Sequence, residues 1–168
     1  MNRLGICATA AVLCLALPAS DIFAQGKSLK EQIVGTWTMV SNVNTRPDGT
    51  KYEALGPNPR GVFTLDANGH FAITILGDAR RKFASNNRLE GTAEENKAAV
   101  QGSIAYFGTY TVNEADHTIN VHIERCSFPN WDGTDQKRSI TITGDEMKYT
   151  NTAASGGGKA ELVWKRAK

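Results

Sequence analysis

The feature that most constrains the fold is a series of short strand-like segments, separated by tight turns, from Trp37 to Arg166. Apolar and polar residues alternate within these segments, as in strands that bury one face. The turns carry Asp, Asn and Gly, as in Asp66-Ala67-Asn68-Gly69 and Thr143-Gly144-Asp145. No linker divides the series, and helices do not alternate with the strands. A parallel α/β fold is therefore disfavoured.

About eight predicted strands follow one another in simple up-and-down order. An antiparallel sheet of this size usually closes on itself, because closure removes the exposed edges. We therefore predict an all-β fold, a single eight-stranded up-and-down antiparallel barrel. Such a barrel is either filled by side chains or holds one small ligand. The predicted strands cover residues 37–43, 61–65, 71–76, 104–112, 119–126, 138–142, 147–151 and 161–166.

Two helical segments accompany the strands. Residues 29–34 have the pattern of a short amphipathic helix. Thr92-Ala93-Glu94-Glu95 is a capping box, and it predicts a helix that runs to about Gln101. This second helix belongs to an insertion at residues 77–101, which is longer than a hairpin loop. An insertion of this kind in a compact barrel is typical of a lid or binding loop.

The N-terminal segment has the composition of a secretory signal peptide. A positive start is followed by an uncharged apolar run over residues 4–17, and cleavage is expected after Ala24, with Ala19 as the alternative. The run is shorter than the roughly 20 residues that a membrane span needs. We therefore expect a signal peptide at residues 1–24 and a barrel domain at residues 25–168. A periplasmic or secreted protein is the expected product.

Composition disfavours several classes of function. Export leaves Cys126 as the one cysteine of the mature chain, which cannot form an internal disulfide. The net charge is +2 and the basic residues are dispersed, so nucleic acid is not an expected partner. His70, His117 and His122 lack zinc-ligand spacing, and no phosphate-binding glycine loop is present. We expect no metal, no cofactor and no transmembrane segment.

Gly35-Thr36-Trp37 lies between the first predicted helix and the first predicted strand. This order of helix, Gly-x-Trp and β-meander resembles the opening of a lipocalin or a related calycin barrel. In lipocalins a basic residue near the chain end covers the tryptophan. The resemblance implies that Lys165 or Arg166 stacks on Trp37.

A set of short motifs spans the mature chain: Leu55-Gly56-Pro57, Arg60-Gly61, Phe83-Ala84-Ser85, Gly91-Thr92-Ala93-Glu94-Glu95, Ala105-Tyr106-Phe107-Gly108-Thr109-Tyr110, His122, Glu124, Phe128-Pro129-Asn130-Trp131, Gly133-Thr134-Asp135-Gln136 and Arg138. In this order they resemble a bacterial family of small lipocalin-like domain proteins. That family is defined by its domain and not by a known reaction. The resemblance therefore implies a cup for an apolar ligand and gives no chemistry.

Two polar pairs lie on neighbouring predicted strands. His122 and Glu124 share one strand face because they are two residues apart, and Gln136 and Arg138 do the same. If both faces turn inward, the four side chains form a cluster that orients a ligand carboxylate or carbonyl, with Arg138 as a bidentate donor. The same cluster has the groups for acid–base chemistry through His122.

A second arrangement of these strands stays open. The face opposite His122 and Glu124 is apolar, and if it lines the core the two polar side chains point to solvent or lie under a loop. Two isoleucines share the face of Arg138, which favours an inward arginine. A bulge near Arg125 would reconcile the two strands.

Aromatic residues complete the candidate set. Tyr106 and Tyr110 share a face with Gly108, so their hydroxyls either reach a ligand, with the glycine leaving room for it, or pack in the barrel. Trp131 is either a plug over the barrel end or part of a pocket rim. The predicted ligand-binding residues are Tyr106, Tyr110, His122, Glu124, Trp131, Gln136 and Arg138.

The sequence favours an exported lipocalin-like binding protein that holds a small apolar or amphipathic molecule, with the insertion at residues 77–101 covering one end. Two alternatives stay open. One is a small-molecule isomerase, cyclase or hydrolase with His122 as acid or base, Glu124 orienting it and Arg138 polarising a carbonyl. The other is a filled barrel that acts as an envelope interaction module. The lack of a convincing catalytic set favours binding over catalysis.

Overall fold

The computed structural model describes residues 26–168, and the expected signal peptide at residues 1–24 lies outside the described residues. The described chain is a β-meander with two α-helices and one short 3-10 helix. No helix in this part of the chain is long and apolar enough to cross a membrane. The elements are α1 (Leu29–Ile33), β1 (Gly35–Thr45), β2 (Lys51–Tyr52), β3 (Arg60–Leu65), β4 (His70–Leu76), α2 (Ala93–Gln101), β5 (Ser103–Asn113), β6 (Thr118–Cys126), the 3-10 helix (Pro129–Trp131), β7 (Thr134–Thr143), β8 (Glu146–Asn151) and β9 (Lys159–Arg166).

Eight strands form one closed antiparallel barrel. Strand β1 pairs with β3, and β3 to β9 then pair in chain order. Strand β9 returns to β1, with Trp37 opposite Arg166 and Asn44 opposite Ala160, so no edge is left among these eight strands. The short β2 pairs only with the end of β1, where Asn44 lies opposite Tyr52. The predicted eight-stranded up-and-down barrel is confirmed.

A β-bulge interrupts the alternation of β1. Met39 lies opposite Trp164 and Ser41 lies opposite Val163, which leaves Val40 as an extra residue. Unbroken alternation from Trp37 would continue the inward face at odd-numbered positions. The extra residue reverses the alternation, because side chains in a strand have a period of two. The buried positions after the bulge are therefore Asn42 and Asn44.

A second bulge lies where β6 passes β5. Phe107 is opposite Arg125 and Gly108 is opposite Ile123, so Glu124 is the extra residue. A Cβ added at Gly108 would overlap the carbonyl oxygen of His122. The predicted bulge near Arg125 is confirmed, but the room beside Gly108 is filled by the backbone of β6 and does not serve a ligand.

Helix α1 closes one end of the barrel. A capping box starts it, since Ser28 Oγ accepts from the Glu31 amide and the Glu31 carboxylate accepts from the Ser28 amide. Glu114, at the β5–β6 turn, also accepts from the amides of Leu29 and Lys30 at 2.7 and 3.0 Å. These bonds supply acceptors for amides that a helix start leaves unpaired.

Trp37 and Arg166 join α1 to the two closing strands. Trp37 is fully buried and its indole Nε1 donates to the Ile33 carbonyl at 2.8 Å. The Arg166 guanidinium lies 4.2 Å from the centre of the Trp37 ring and donates to the carbonyls of Val34 and Gln32. The expected cover of Trp37 is confirmed, and Arg166 provides it.

The insertion between β4 and β5 contains the predicted helix. Thr92 Oγ1 accepts from the Glu95 amide, and the Glu95 carboxylate accepts from the Thr92 amide, so the capping box is confirmed. The Gly77 amide donates to the Gly102 carbonyl at 2.8 Å and ties the two ends of the insertion together. The insertion therefore leaves the barrel and re-enters it at one point on its rim.

Replacing Arg166 tests how α1 and the barrel closure are coupled. We expect Arg166→Met to lower the free energy of unfolding by about 2–3 kcal/mol, because it removes two charge-assisted hydrogen bonds and a cation–π contact. Chemical denaturation monitored by tryptophan fluorescence measures the change. The matched control is Lys165→Met, on the neighbouring exposed side chain, which should change stability by less than about 0.5 kcal/mol. Equal losses in the two variants would contradict the coupling.

Candidate functional site

The barrel is hollow at the end opposite α1. A cavity of about 620 Å³ opens there, within the range of small-molecule sites. The other end is filled, with Phe63 and Trp164 in contact at a ring-centre distance of 5.5 Å. The cavity is lined by Asn42, Asn44, Tyr52, Glu53, Ala54, Leu55, Ile75, Val100, Gln101, Ser103, Ile104, Tyr106, Ser127, Phe128, Trp131, Tyr149, Asn151, Ala154, Ser155, Gly156, Ala160 and Leu162.

One wall of the cavity is aromatic. The Trp131 ring meets the rings of Tyr106 and Phe128 edge to face, with centres 5.6 and 5.9 Å apart. Thr134 Oγ1 donates to the Trp131 carbonyl and the Asp132 carboxylate accepts from the Cys126 amide, so the C-terminal end of the 3-10 helix is held to β7 and β6. Trp131 therefore belongs to the pocket wall and is not a plug that closes the barrel.

The facing wall carries amide side chains on β1. Asn42 and Asn44 are 7% and 5% exposed, and the Oδ1 atom of each has no hydrogen-bond partner within residues 26–168. Ala160 lies between Asn44 and Asn151 in the sheet and leaves space above the β9 backbone. A buried acceptor without a donor costs free energy. Neither oxygen is accessible from the cavity in this orientation of the amides, so a ligand that brings a donor reaches one only after the amide group rotates.

A polar network lies behind the cavity wall. Arg138 is 2% exposed; its Nε donates to Tyr149 Oη at 3.1 Å and its Nη1 to the Lys137 carbonyl at 2.9 Å. Gln136 Oε1 accepts from Arg138 Nη2. Tyr149 Oη lies 3.4 Å from Tyr106 Oη, and both tyrosines line the cavity. Arg138 does not line the cavity itself, but its guanidinium is hydrogen-bonded to Tyr149, which does.

Burial controls the ionisation of Tyr106. Loss of hydration raises the pKa of this phenol well above its usual 10, and the adjacent Tyr149 adds to the rise. The positive charge of Arg138 acts in the opposite direction and is the smaller influence. Tyr106 is therefore a neutral hydroxyl at physiological pH, able to donate and to accept.

His122 and Glu124 lie apart from this network. Both are exposed on the outer face of β6, while Ile119, Val121 and Ile123 line the core. The hypothesis of an inward four-residue cluster is corrected here: the strand turns its apolar side inward, because that side gains most from burial.

Outside the barrel, His122 makes a local contact. Its Nδ1 lies 2.9 Å from Asp135 Oδ1 at the surface. The groups assigned to acid–base chemistry in the enzyme hypothesis, namely His122, Glu124 and Arg138, are therefore not brought together.

Of the other predicted residues, only Tyr106 and Trp131 line the cavity directly. Gln136 and Arg138 share the inward face of β7, as their spacing indicated, but lie behind Tyr149. Tyr110 is buried near the other end, where its hydroxyl donates to the Asp66 carbonyl at 2.6 Å. Its role in the structure is packing and hairpin fixation.

The end of α2 and the segment that follows β2 form part of the cavity rim. Val100 and Gln101, at the end of α2, line one side, and residues 52–55 line another. Val100 is 70% exposed, so the helix end borders the opening and does not seal it. The predicted lid segment therefore contributes its last turn to the site.

Residues 26–168 contain neither a group of metal ligands nor an activated thiol at Cys126. No group of three or more His, Cys, Asp or Glu side chains within residues 26–168 is placed to hold a metal ion. Burial raises the pKa of the Cys126 thiol, which also accepts a hydrogen bond from the Phe128 amide. Such a thiol is a weak nucleophile.

The polar lining residues that were not predicted include Asn42, Asn44 and Tyr149. Tyr149 alternates with Met147 and Asn151 in a predicted strand, and this pattern was a usable signal for an inward hydroxyl. The asparagines gave none, because their direction depends on the bulge at Val40.

Comparison with known proteins relates this chain to one family. The family model for the Lipocalin-like domain matches residues 34–167. The 4'-hydroxy-3'-methoxypropiophenone carrier protein ppsC of Aspergillus oryzae is 41% identical over 68 residues, which cover 37% of this chain and 61% of that protein. The chain thus matches less than two thirds of that relative's length. A mutant of the fluorescent protein UnaG aligns with 82% of this chain and 97% of its own, at 14% identity and a TM-score of 0.37.

The raised pKa of Tyr106 predicts a loss of stability in alkali. Above about pH 10 the unfolded chain releases this proton and the folded chain keeps it, so the free energy of unfolding falls as pH rises. In Tyr106→Phe this contribution is absent, and we expect a smaller drop in Tm between pH 8 and pH 11 than in the parent. Differential scanning calorimetry measures it. Parallel curves for the two proteins over that range would refute the assignment.

Proposed function

The chain belongs to the lipocalin-like domain family, and we propose that its barrel binds and carries a small amphipathic molecule in the cavity. The observation that supports this most directly is the cavity itself, about 620 Å³ with an aromatic wall and two asparagines whose buried oxygens have no partner in the described part of the chain. Small-molecule sites are mostly apolar with a few placed polar groups, and this lining has that character.

An aromatic ligand suits the wall formed by Trp131, Tyr106 and Phe128. A ligand of one ring buries about 200 Å² of apolar surface, which at about 25 cal/mol per Å² is about 5 kcal/mol. Lost translation and rotation offset at least about 4 kcal/mol of this. Because micromolar binding needs about 8 kcal/mol, apolar contact is insufficient and polar groups in the cavity must supply the rest.

The name of the Aspergillus relative supports a ligand of this kind. It describes a carrier of 4'-hydroxy-3'-methoxypropiophenone, a small aromatic ketone with a hydroxyl. The similarity covers 37% of this chain, so that compound is the first probe to use and not the assigned ligand.

Binding without turnover is the proposal that the lining favours. Among the described lining residues Glu53 is the one carboxylate and no histidine is present. His122, the residue of the enzyme hypothesis, lies on the outer face next to Asp135. An acid–base pair across the cavity is therefore not assembled by these residues.

Export is a further part of the proposal. The composition of residues 1–24 supports delivery to the periplasm or the medium of a bacterial cell, with the barrel as the mature protein. Mass spectrometry of the mature protein after expression with its full N-terminus would give the cleavage site. A mature mass that includes residues 1–24 would contradict export.

Filling the cavity tests the binding proposal. We expect the parent protein to bind 4'-hydroxy-3'-methoxypropiophenone with 1:1 stoichiometry in isothermal titration calorimetry. Ala160→Phe places a ring between Asn44 and Asn151 and should weaken binding at least about tenfold, because the ring occupies ligand space.

His122→Ala is the matched control for this experiment, since it alters an exposed outer side chain. It should bind like the parent. Circular dichroism confirms that each variant is folded. Absence of saturable binding to this probe and to the neutral compound 1-naphthol would contradict the proposed function, as would binding that survives in a folded Ala160→Phe protein.

A further inference from the structure

Arg138 is a buried cation with neutral partners. Its guanidinium donates to Tyr149 Oη, the Lys137 carbonyl and Gln136 Oε1, none of which carries a charge. Within residues 26–168 no salt bridge involves this side chain, although it is 2% exposed. A buried charge is costly unless an opposite charge compensates it. The barrel therefore keeps a positive charge next to the cavity that the described protein does not neutralise.

The hydroxyls of Tyr149 and Tyr106 link the Arg138 guanidinium to the cavity surface by hydrogen-bond contacts. Tyr149 Oη accepts from Arg138, so its own proton is directed away from the guanidinium. The 3.4 Å contact between Tyr149 Oη and Tyr106 Oη uses one of the two hydroxyl protons. The other proton has no acceptor among the hydrogen bonds of the described chain, and both residues line the cavity. An acceptor oxygen on a ligand would complete this pair.

Asn42 and Asn44, by contrast with the tyrosine pair, each have a buried acceptor oxygen that lacks a donor within the described residues. The Oδ1 atoms of Asn42 and Asn44 are two of four buried side-chain polar atoms that lack a partner within the described residues. The other two, on Thr118 and Trp164, do not line the cavity. A donor group on a ligand would satisfy an oxygen of the asparagine pair once that amide rotates and brings the oxygen to the cavity surface.

The sheet sets the separation of the two pairs. Asn42 lies opposite Leu162, and Leu162 lies opposite Tyr149, so the two polar residues are two strands apart. At about 4.8 Å per strand the Cα atoms are about 10 Å apart. A single planar ring system, lying against Trp131 and Tyr106, has the length to present one polar group to each pair.

We propose that the ligand is an aromatic carboxylate with a hydrogen-bond donor, such as a hydroxyl, at its other end. The carboxylate accepts from the Tyr106–Tyr149 pair and compensates the charge of Arg138, and the donor bonds to Asn42 or Asn44. This inference rests on the proposed function and specifies the chemical class of ligand for the same cavity.

Three related probes separate the two ends of the ligand. The first is 6-hydroxy-2-naphthoate, its methyl ester lacks the negative charge, and 2-naphthoate lacks the hydroxyl. We expect 6-hydroxy-2-naphthoate to bind at least about tenfold tighter than either of the others, because each comparison removes one charge-assisted or otherwise unpaired hydrogen bond. Isothermal titration calorimetry at pH 7 measures the three dissociation constants.

Variants assign each preference to its residues. Tyr149→Phe should remove the preference for carboxylate over ester and keep the preference for the hydroxyl. Asn42→Leu and Asn44→Leu should reduce the preference for the hydroxyl and keep the preference for the carboxylate. Tyr149→Phe is used in place of an Arg138 variant because it leaves the buried guanidinium and its other two acceptors intact.

The asparagine variants also have a readout without ligand. Asn42→Leu and Asn44→Leu should raise the Tm of the free protein, because each removes a buried oxygen that has no partner. Asn151→Leu is the matched control on the same wall. Its Oδ1 accepts from the Ala153 amide at 2.9 Å, so this variant should lower the Tm. A lower Tm in all three would overturn the role given to Asn42 and Asn44.

The outcomes distinguish this inference from the proposed function. Equal binding of the three naphthalene probes, or tighter binding of the ester, overturns the inference and leaves the proposed function standing. Binding of 4'-hydroxy-3'-methoxypropiophenone without binding of 6-hydroxy-2-naphthoate does the same. Failure of all these probes and of 1-naphthol contradicts both.

Discussion

The pairing of β1 with β9 is the contact on which the rest of the structure depends. It joins the first and last strands of the meander and removes the only edges that these eight strands would expose. The same pairing places Arg166 over Trp37 and beneath α1, so one residue links the strand pair, the tryptophan and the helix. Closure therefore fixes which end of the barrel is filled and which end stays open.

Closure of the barrel buries polar groups at the site that lack partners within the described residues, and their burial costs free energy. A bulge at Val40 turns Asn42 and Asn44 inward, where their buried oxygens have no partner among residues 26–168. Arg138 is likewise buried with no countercharge from these residues. Each of these features lowers stability. All of them lie at or directly behind the lining of one cavity, whereas the filled end is largely apolar. Unpaired polar groups beside a cavity are typical of positions that a ligand satisfies, although two further unpaired atoms of the described chain, on Thr118 and Trp164, lie away from it.

Much of the fold was predictable because its signals are local. The capping box at Thr92, turn residues and alternating apolar positions act over a few residues, so the eight barrel strands, both helices and the closed barrel were predicted, whereas the short β2 was not. The site was less predictable. Tyr106 and Arg138 were identified from spacing and Trp131 from its position in a loop. One of the two predicted arrangements placed His122 and Glu124 inward, but they point outward because the apolar face of β6 lines the core. Tyr110 shares the strand face of Tyr106 and lies at the filled end.

The sequence by itself determined the order of the strands, the helix starts and the membership of the lipocalin-like domain family, because motifs and turns record these directly. The tertiary structure decided which polar residues reach the cavity. One extra residue at Val40 reverses the alternation of β1. The position of this bulge is set by pairing with β9, which lies about 120 residues away in the sequence. The depth of the cavity and the link from Arg138 through Tyr149 likewise arise only when the barrel closes.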